Sequence, residues 1–257
     1  MFFGGMNNRK EGIEMEDYIS KVVKLADLTQ NKPLNEIVFE GLRDAIIKGI
    51  IPVGERINET VYSERMNISR TPIREALRRI QEEGLVEYIP HYGVVVKKIT
   101  VADAEEIFQI RKALDVLATT SAMKLMSEEQ FEKMRKLLAK TDEANERGDV
   151  AKVVSLFSEF NDMIYKFSQM PRLDIIVNKL RQYLVRFRDI SLAGAVRRRK
   201  AIDEHWMIYN NMKNRNFEQV AIITNEHLEY SKGFIINEMI QVEKELEMKE
   251  KEKLDAK

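Results

Sequence analysis

Residues 69–84 read SRTPIREALRRIQEEG, and this stretch decides how the first part of the chain folds. Ser69 can cap a helix by accepting hydrogen bonds from its first free N–H groups, and Pro72 fits the first turn. Apolar side chains then recur at the helical spacing, which predicts one buried face: Ile73, Ala76, Leu77 and Ile80. Placed at about 100° per residue, four more side chains lie beside that face and point to solvent: Arg70, Thr71, Arg74 and Arg78.

A short helix with an apolar back and an Arg/Thr front suits the major groove of DNA. Arginine can pair with O6 and N7 of guanine, and Ser or Thr can reach base edges or phosphates. An ordinary amphipathic helix with a solvated basic face explains the stretch alone equally well. The segments on either side therefore have to decide between the two interpretations.

The flanking segments predict the remaining parts of a winged helix-turn-helix. Residues 34–47 carry the pattern of a supporting helix, and Asn58 can cap a second short helix that ends at Asn67. Asn67 tolerates the left-handed conformation that a tight turn between helices needs. Downstream, residues 85–89 and 94–99 are rich in β-branched and aromatic side chains, and the turn sequence PHYG at 90–93 separates them. This order is typical of helix-turn-helix DNA-binding domains with a β-hairpin wing.

Residues 54–86 resemble the DNA-binding domain of GntR-family bacterial transcription regulators, and SRTPIREAL is the most specific part of the match. The resemblance implies operator contacts from Ser69, Arg70, Thr71 and Arg74 and a wing tip at Gly93. Arg78 joins this set because it shares their face. Some members carry a DNA-reading Arg early in the second helix, where this chain has Thr60. We therefore expect fewer base contacts from that helix.

Composition limits the classes of protein to consider. The chain has 257 residues, 42 basic and 42 acidic, so its formal net charge is zero and any attraction to DNA must be local. The absence of Cys excludes disulfides, thiolate catalysis and cysteine metal sites. No apolar run approaches the roughly 20 residues of a membrane span, and the opening MFFGGM lacks the features of a signal peptide. We expect a cytoplasmic protein without a membrane partner.

The periodicity predicts a mainly α protein in which a winged helix-turn-helix precedes an all-α bundle. We divide the chain into an N-terminal extension (1–30), the winged domain (31–99), an all-helical effector-binding and dimerisation domain (100–240) and a charged tail (241–257). A short helix is expected at 15–28. The second half predicts six helices, at 101–124, 127–147, 149–169, 171–190, 196–213 and 217–246.

Four polar residues fall on apolar faces of these helices. Arg111 lies among Ile107, Ile110, Leu114 and Leu117, which we expect to be buried, and Asn161 lies on the predicted apolar face of its own helix. His205 and His227 are equally distant from the turn at residue 216, so antiparallel packing would place them at the same height and let them converge. The alternative is two core histidines, each satisfied by a neighbour. A buried Arg needs a partner or a ligand.

This half resembles the FCD effector domain of the FadR-type subgroup of the GntR family, on RKALD at 111–115, residues 160–173, Glu204-His205 and His227. Many members bind a divalent metal through an Asp-x-x-x-His pair and two later histidines. His205 and His227 match the latter, but Phe157 and Asn161 stand at the other two places. The resemblance implies an effector site at Arg111, Asn161, His205 and His227 for a small carboxylate. A degenerate Zn, Ni or Mn site at His205, His227 and Asn161 is the alternative.

Together these features predict a ligand-responsive transcription regulator, a repressor, that binds a pseudo-palindromic operator as a homodimer. We do not expect an enzyme, because the chain offers no nucleophile–base pair, phosphate loop or cysteine. Two other interpretations stay open at this point. The histidines could act as an acid and a base, or the chain could be a helical protein-interaction module whose basic helix is incidental.

Overall fold

The computed structural model describes residues 18–255 of the chain. The chain divides between Ile99 and Thr100 into two compact units, which are described one at a time. The predicted helix at 15–28 is seen as the helical residues 18–25 (α1), and its first residues lie outside the described range. Within that range, no helix is both long enough and apolar enough to cross a membrane.

Three further helices form the N-terminal unit: α2 (Leu34–Ile47), α3 (Glu59–Met66) and α4 (Arg70–Glu82). All three were predicted and are confirmed. Helix α4 packs against α2 and α3, and its predicted apolar face is buried to 3% exposure or less. The four side chains of that face are Ile73, Ala76, Leu77 and Ile80. Burial of this stripe fixes the orientation of α4 and leaves its other side to solvent.

The turn between α3 and α4 confirms one predicted signal and corrects another. Asn67 ends α3 with a φ of 53°, the left-handed conformation expected of it. Asn58 caps α3 by accepting from the N–H of Thr60. Ser69 does occupy the N-cap position of α4, but its side chain makes no capping hydrogen bond. Pro72, the third residue of the helix, has no N–H and so removes one of the two donors that an N-cap side chain uses.

A three-stranded antiparallel sheet follows α4. The predicted hairpin is confirmed as β2 (Val86–Ile89) and β3 (Gly93–Val96), but the second strand ends at Val96 and not at residue 99 as expected. The two-residue strand β1 (Arg56–Ile57) pairs with the other side of β3. The strand order is β1-β3-β2, so β3 lies in the centre. Strand β1 was not predicted, because two residues carry no detectable alternation.

The C-terminal unit contains seven helices within the described range: α5 (Val101–Leu125), α6 (Glu128–Glu146), α7 (Val150–Phe167), α8 (Pro171–Tyr183), α9 (Val185–Leu192), α10 (Ala195–Lys213) and α11 (Phe217–Asp255). Thr100 with Asp103 and Ser127 with Gln130 form capping boxes at the starts of α5 and α6, as predicted. The backbone of α11 stays helical through most of the charged tail.

The prediction of a single helix at 171–190 is wrong, because the chain breaks between α8 and α9. Leu184 has φ −107° and ψ 5°, and its side chain is 2% exposed. Neither Pro nor Gly marks this position. Tertiary packing of Leu184 therefore overrides the local helical preference.

The predicted buried face of α5 is wrong in part. Ile107 is buried and Leu114 partly so, but Ile110 and Leu117 are 41% and 47% exposed. The buried side instead carries Phe108, Met123 and small residues: Ala104, Ala118 and Ala122. Small side chains allow α7 and α11 to approach the backbone of α5 closely, so the bulkier aliphatic residues are left outside.

Candidate nucleic-acid interface and ligand cavity

The outer face of α4 presents the cations that the sequence predicted. The side chains of Arg70, Arg74 and Arg78 are 49%, 60% and 70% exposed, and Ser69 and Thr71 are exposed beside them. Arg78 donates to Glu82 on the same helix at 2.5 Å, and its high exposure makes this a weak pair. The hydroxyl of Ser69 is not used for capping, so it is available for a phosphate or a base edge.

A carboxylate that sequence reasoning did not single out links the two central arginines of this face. Glu59 Oε2, in the first turn of α3, accepts from Arg70 Nη2 at 2.8 Å and from Arg74 Nε at 2.7 Å. Partial burial raises the pKa of Glu59, but the hydrogen bonds and charges of Arg74 and Arg70 outweigh it, so the pKa is lowered. Glu59 is therefore ionised at neutral pH and holds both guanidinium groups in one place.

The fourth arginine of this stretch has a structural role. Arg79 donates to Glu36 of α2 at 2.7 Å and stacks 3.7 Å from the centre of the Phe39 ring. The hydrogen bond to Glu36 is the largest reason why the pKa of Arg79 is raised. Arg79 thus attaches α4 to α2 and belongs to the back of the helix.

The wing places Gly93 where the resemblance implied a tip. Gly93 begins β3 with a φ of 111°, a conformation that side chains disfavour, and a Cβ there would lie 3.3 Å from Arg56 Nε. Tyr92, next to it, is 50% exposed and lies 5.5 Å from the guanidinium carbon of Arg56. The tip therefore presents an exposed aromatic ring, and Gly93 beside it leaves room for the side chain of Arg56.

In the C-terminal unit, a cavity of about 60 Å³ gathers the four residues predicted for the effector site. Arg111 comes from α5, Asn161 from α7, His205 from α10 and His227 from α11. A water molecule needs roughly 10–15 Å³ of such space, so the cavity holds about four waters or a compact ligand group.

The histidines converge as their spacing predicted. Their ring centroids are 4.9 Å apart. His205 is 2% exposed and stacks on Phe160 at 4.4 Å, with the edge of Phe157 at 4.8 Å. Burial, and then the charges of His227, Arg197 and Arg181, hold the pKa of His205 well below its ordinary 6.5. His205 is therefore neutral at pH 7.

The partners of the other predicted residues limit what each can do. Arg111 Nη2 donates to Asp115 at 2.8 Å, and Asp115 also accepts from Tyr165 at 2.9 Å. His227 Nδ1 lies 2.7 Å from Glu204 Oε2, so its other ring nitrogen is left for the cavity. Asn161 Nδ2 donates to the backbone oxygen of Phe157 at 2.8 Å.

Three arginines that line the same cavity were missed: Arg181, Arg188 and Arg197. A signal for Arg197 was present, because Arg197, Ala201, Glu204 and His205 follow the helical spacing i, i+4, i+7 and i+8. Arg181 and Arg188 lie on either side of the unpredicted break at Leu184, so sequence periodicity placed neither of them.

The donor set does not fit a resident divalent metal. Among the described residues, no group of three or more His, Cys, Asp and Glu side chains could hold one. Phe157 fills the place of a carboxylate, and phenylalanine rings pack on His205. Four guanidinium groups line the same cavity and would repel a cation.

Each half of the chain matches a known protein family. Residues 34–96 match the family described as bacterial regulatory proteins, gntR family, and residues 106–230 match the FCD domain. An HTH-type transcriptional regulator of Bacillus subtilis, YdhC, is 28% identical over 181 residues, 70% of this chain and 81% of that protein. The HTH-type transcriptional repressor RspR of Escherichia coli is 24% identical and covers 79% of this chain and 89% of its own length.

The fold agrees as well. The structure of Escherichia coli McbR/YncC superposes with a TM-score of 0.64 at 21% identity, covering 80% of this chain and 98% of the other. These families and relatives are transcription regulators and not enzymes. The chain belongs to the GntR family of bacterial transcription regulators, with an FCD domain after its winged helix-turn-helix.

Proposed function

We propose that this protein is a repressor that binds a pseudo-palindromic operator as a homodimer, and that a small carboxylate in the helical unit changes its operator affinity. The observation that carries the proposal is the pairing of an exposed Arg/Ser/Thr helix face with a separate cationic cavity. A regulator of the GntR family has a DNA-binding half, and the FCD domain implies a small-molecule effector. Because its target is chromosomal DNA, we place it in the bacterial cytoplasm.

We assign the recognition of the DNA sequence to four residues: Ser69, Arg70, Thr71 and Arg74. Arg78 and Gly93 lie at the edges of this DNA-binding surface. Arg74 donates to Glu59 through Nε, so its two Nη groups remain for an end-on pair with guanine O6 and N7. Arg78 is the most exposed of the three arginines and suits a phosphate.

The homodimer follows from the small footprint of a single recognition helix. One helix reads only a few base pairs, so useful specificity needs two half-sites related by symmetry. The exposed Ile110 and Leu117 lie seven residues apart on one side of α5, and we assign this side to contact with a second copy. Replacing both with Asp should convert the dimer to monomer in analytical ultracentrifugation.

The effector proposal rests on the cavity of four arginines and two histidines. Guanidinium groups in a partly buried site bind carboxylates with charge-assisted hydrogen bonds. The donor set argues against a metal as the primary ligand.

The test begins with duplexes enriched by the protein from a random pool, because the operator is unidentified. We expect the enriched sequences to contain inverted half-sites and to bind two chains. Acetate, malonate and citrate are then added, and fluorescence anisotropy measures operator affinity, which we expect to change several-fold with at least one of them. Failure to enrich any sequence would contradict the DNA-reading assignment. Unaltered affinity with every carboxylate would contradict the effector assignment.

A further inference from the structure

We propose that Arg197 is the anchor for a compact oxyanion in the cavity of the helical unit, and that this anion binds without a divalent metal. The inference deepens the effector site of the proposed function and names the residue that recognises the ligand. Sequence reasoning assigned that role to Arg111. The contacts within the unit assign it to Arg197.

Arg197 is a buried cation whose hydrogen-bonding capacity is largely unused. The residue is 5% exposed, and its Nη2 donates to Ser231 at 2.7 Å. Its Nε and Nη1 are buried and make no hydrogen bond to any described residue. The nearest carboxylate oxygen, Glu204 Oε2, is 3.6 Å from Nη1, which is beyond hydrogen-bond distance. Burial is the largest cause of its lowered pKa, so the charged form lacks full compensation.

The other three arginines of the cavity already have a hydrogen-bonded carboxylate. Arg111 donates to Asp115 at 2.8 Å, Arg181 to Asp162 at 2.7 Å, and Arg188 to Asp189 at 2.7 Å. Glu204, which could have served Arg197, accepts instead from His227 at 2.7 Å when that ring carries its proton on Nδ1. An incoming oxyanion therefore gains most at Arg197, which has an ion pair with Glu204 at 3.6 Å but no hydrogen-bonded carboxylate.

Two neighbouring nitrogens are in the same condition. Nδ1 of His205 and Nε of Arg111 are buried and have no hydrogen-bond partner in the described part of the chain, and both residues line the cavity. His205 is neutral, so it can donate one N–H to an oxygen when the proton is on Nδ1. A buried donor without a partner destabilises a protein unless a ligand or water completes it. Arg197, His205 and Arg111 thus supply four unpaired donors from two helices.

These donors determine the class of ligand. Carboxylate and phosphate groups share the required chemistry, namely a small cluster of anionic oxygens that accept several N–H bonds. The cavity volume of about 60 Å³ suits such a group. A divalent cation would meet the three unpaired guanidinium nitrogens of Arg197 and Arg111, which cannot coordinate it. The anion therefore takes its charge compensation from Arg197 and needs no metal.

The test uses the full-length protein after treatment with EDTA and dialysis. Acetate, malonate and inorganic phosphate are titrated separately by isothermal calorimetry and thermal shift. We expect at least one of them to bind and raise the melting temperature with no metal present. Stronger binding of acetate and malonate would identify a carboxylate ligand, and stronger binding of phosphate would identify a phosphate group. Adding zinc or manganese should leave the affinity unchanged.

Three variants assign the binding to Arg197. Arg197→Met removes the charge and should lower the affinity for the anion by about 30-fold or more, because removing one partner of a buried charged contact costs much binding energy. Arg197→Lys keeps the charge but not the planar donors, and should lie between Met and wild type. Arg199→Met is the matched control: it makes the same change on the same helix at a side chain 52% exposed, and should stay within about twofold of wild type.

The melting temperature of the anion-free protein separates binding from folding. Arg197→Met also removes the 3.6 Å ion pair with the buried Glu204, so its melting temperature should fall, and binding is compared only at temperatures where variant and wild type are both folded. Arg197→Lys keeps the charge and should stay close to the wild-type melting temperature. Two results would overturn the inference and leave the effector proposal standing. One is that Arg197→Met binds the anion with the same affinity as the wild type. The other is that the wild type binds the anion only when metal is added. If none of the three anions binds wild-type protein that still binds its enriched duplex, both the inference and the carboxylate effector fail, and only the DNA-binding proposal survives.

Discussion

Glu59→Gln is the substitution that most directly probes how this protein reads DNA. The change is isosteric and removes the single charge that holds Arg70 and Arg74, whose N–H groups lie 2.8 and 2.7 Å from the same carboxylate oxygen. We expect it to raise affinity for any DNA while lowering the preference for the operator. Both effects follow from the geometry of this one oxygen.

The expected size of each effect can be worked out. Loss of one negative charge on the reading face adds about one neutralised phosphate, which steepens the salt dependence by roughly 0.9 and tightens non-specific binding about fivefold near physiological salt. Two arginines that Glu59 no longer orders must be ordered by the operator, at about 0.5–1.5 kcal/mol each. The ratio of specific to non-specific affinity should therefore fall by about 1–3 kcal/mol, or 5- to 150-fold.

The assay compares an enriched operator with a random duplex of equal length by fluorescence anisotropy over a range of salt concentrations. Glu64→Gln is the matched control, since it makes the same change at an exposed position of the same helix α3. Arg74→Ala should itself weaken operator binding by about 1–3 kcal/mol while the fold stays intact. In that background Glu59→Gln should have about half its effect on specificity, because only Arg70 remains to be released.

Equal specificity ratios for wild type, Glu59→Gln and Glu64→Gln would refute the reasoning, since Glu59 would then be one more surface charge. Full additivity of Glu59→Gln and Arg74→Ala would also count against it. An acidic residue in the first turn of a helix stabilises that helix by about 0.3–1 kcal/mol, so Glu59→Gln could also loosen α3. Circular dichroism checks that the helix content of the variant is unchanged.

Further predictions concern the wing, pH dependence and metal. Gly93→Ala should lower stability toward urea by about 1–3 kcal/mol, because φ is 111° and Arg56 must move, and it should weaken operator binding more than it weakens folding. The pKa of His205 is lowered in the folded state, so below pH 6.5 the unfolded chain takes up the proton first. The free energy of unfolding should then fall by up to about 1.4 kcal/mol for each unit by which the pH is lowered. Urea titrations at several pH values measure this slope, which should be absent from His205→Gln. Phe157→Asp with Asn161→His should raise zinc affinity at least tenfold in calorimetry, because a carboxylate and a third imidazole would join the histidine pair; unchanged affinity would show that the arginines dominate the site.

Local signals determined much of this protein. Helix α4 and the hairpin could be predicted because apolar spacing and turn residues act within about 15 residues of each other. The meeting of His205 and His227 could be predicted for a similar reason: their helices are joined by one short turn, so equal distance from it means equal height. The family resemblance rested on the same local segments.

Only the tertiary structure decided which charges are satisfied. Sequence placed Arg111 at the centre of the ligand site, but Arg111 already donates to Asp115. The carboxylate nearest Arg197, that of Glu204, lies 3.6 Å away and forms its hydrogen bond with His227. The break at Leu184 and the small-residue face of α5 were likewise set by packing between distant helices. Periodicity states which face of a helix is apolar, but the partner of a polar group depends on distances of 3 to 4 Å between segments far apart in sequence. For that reason the sequence by itself determined the two halves and most of their helices, and the packed bundle alone decided which charged groups are hydrogen-bonded to one another.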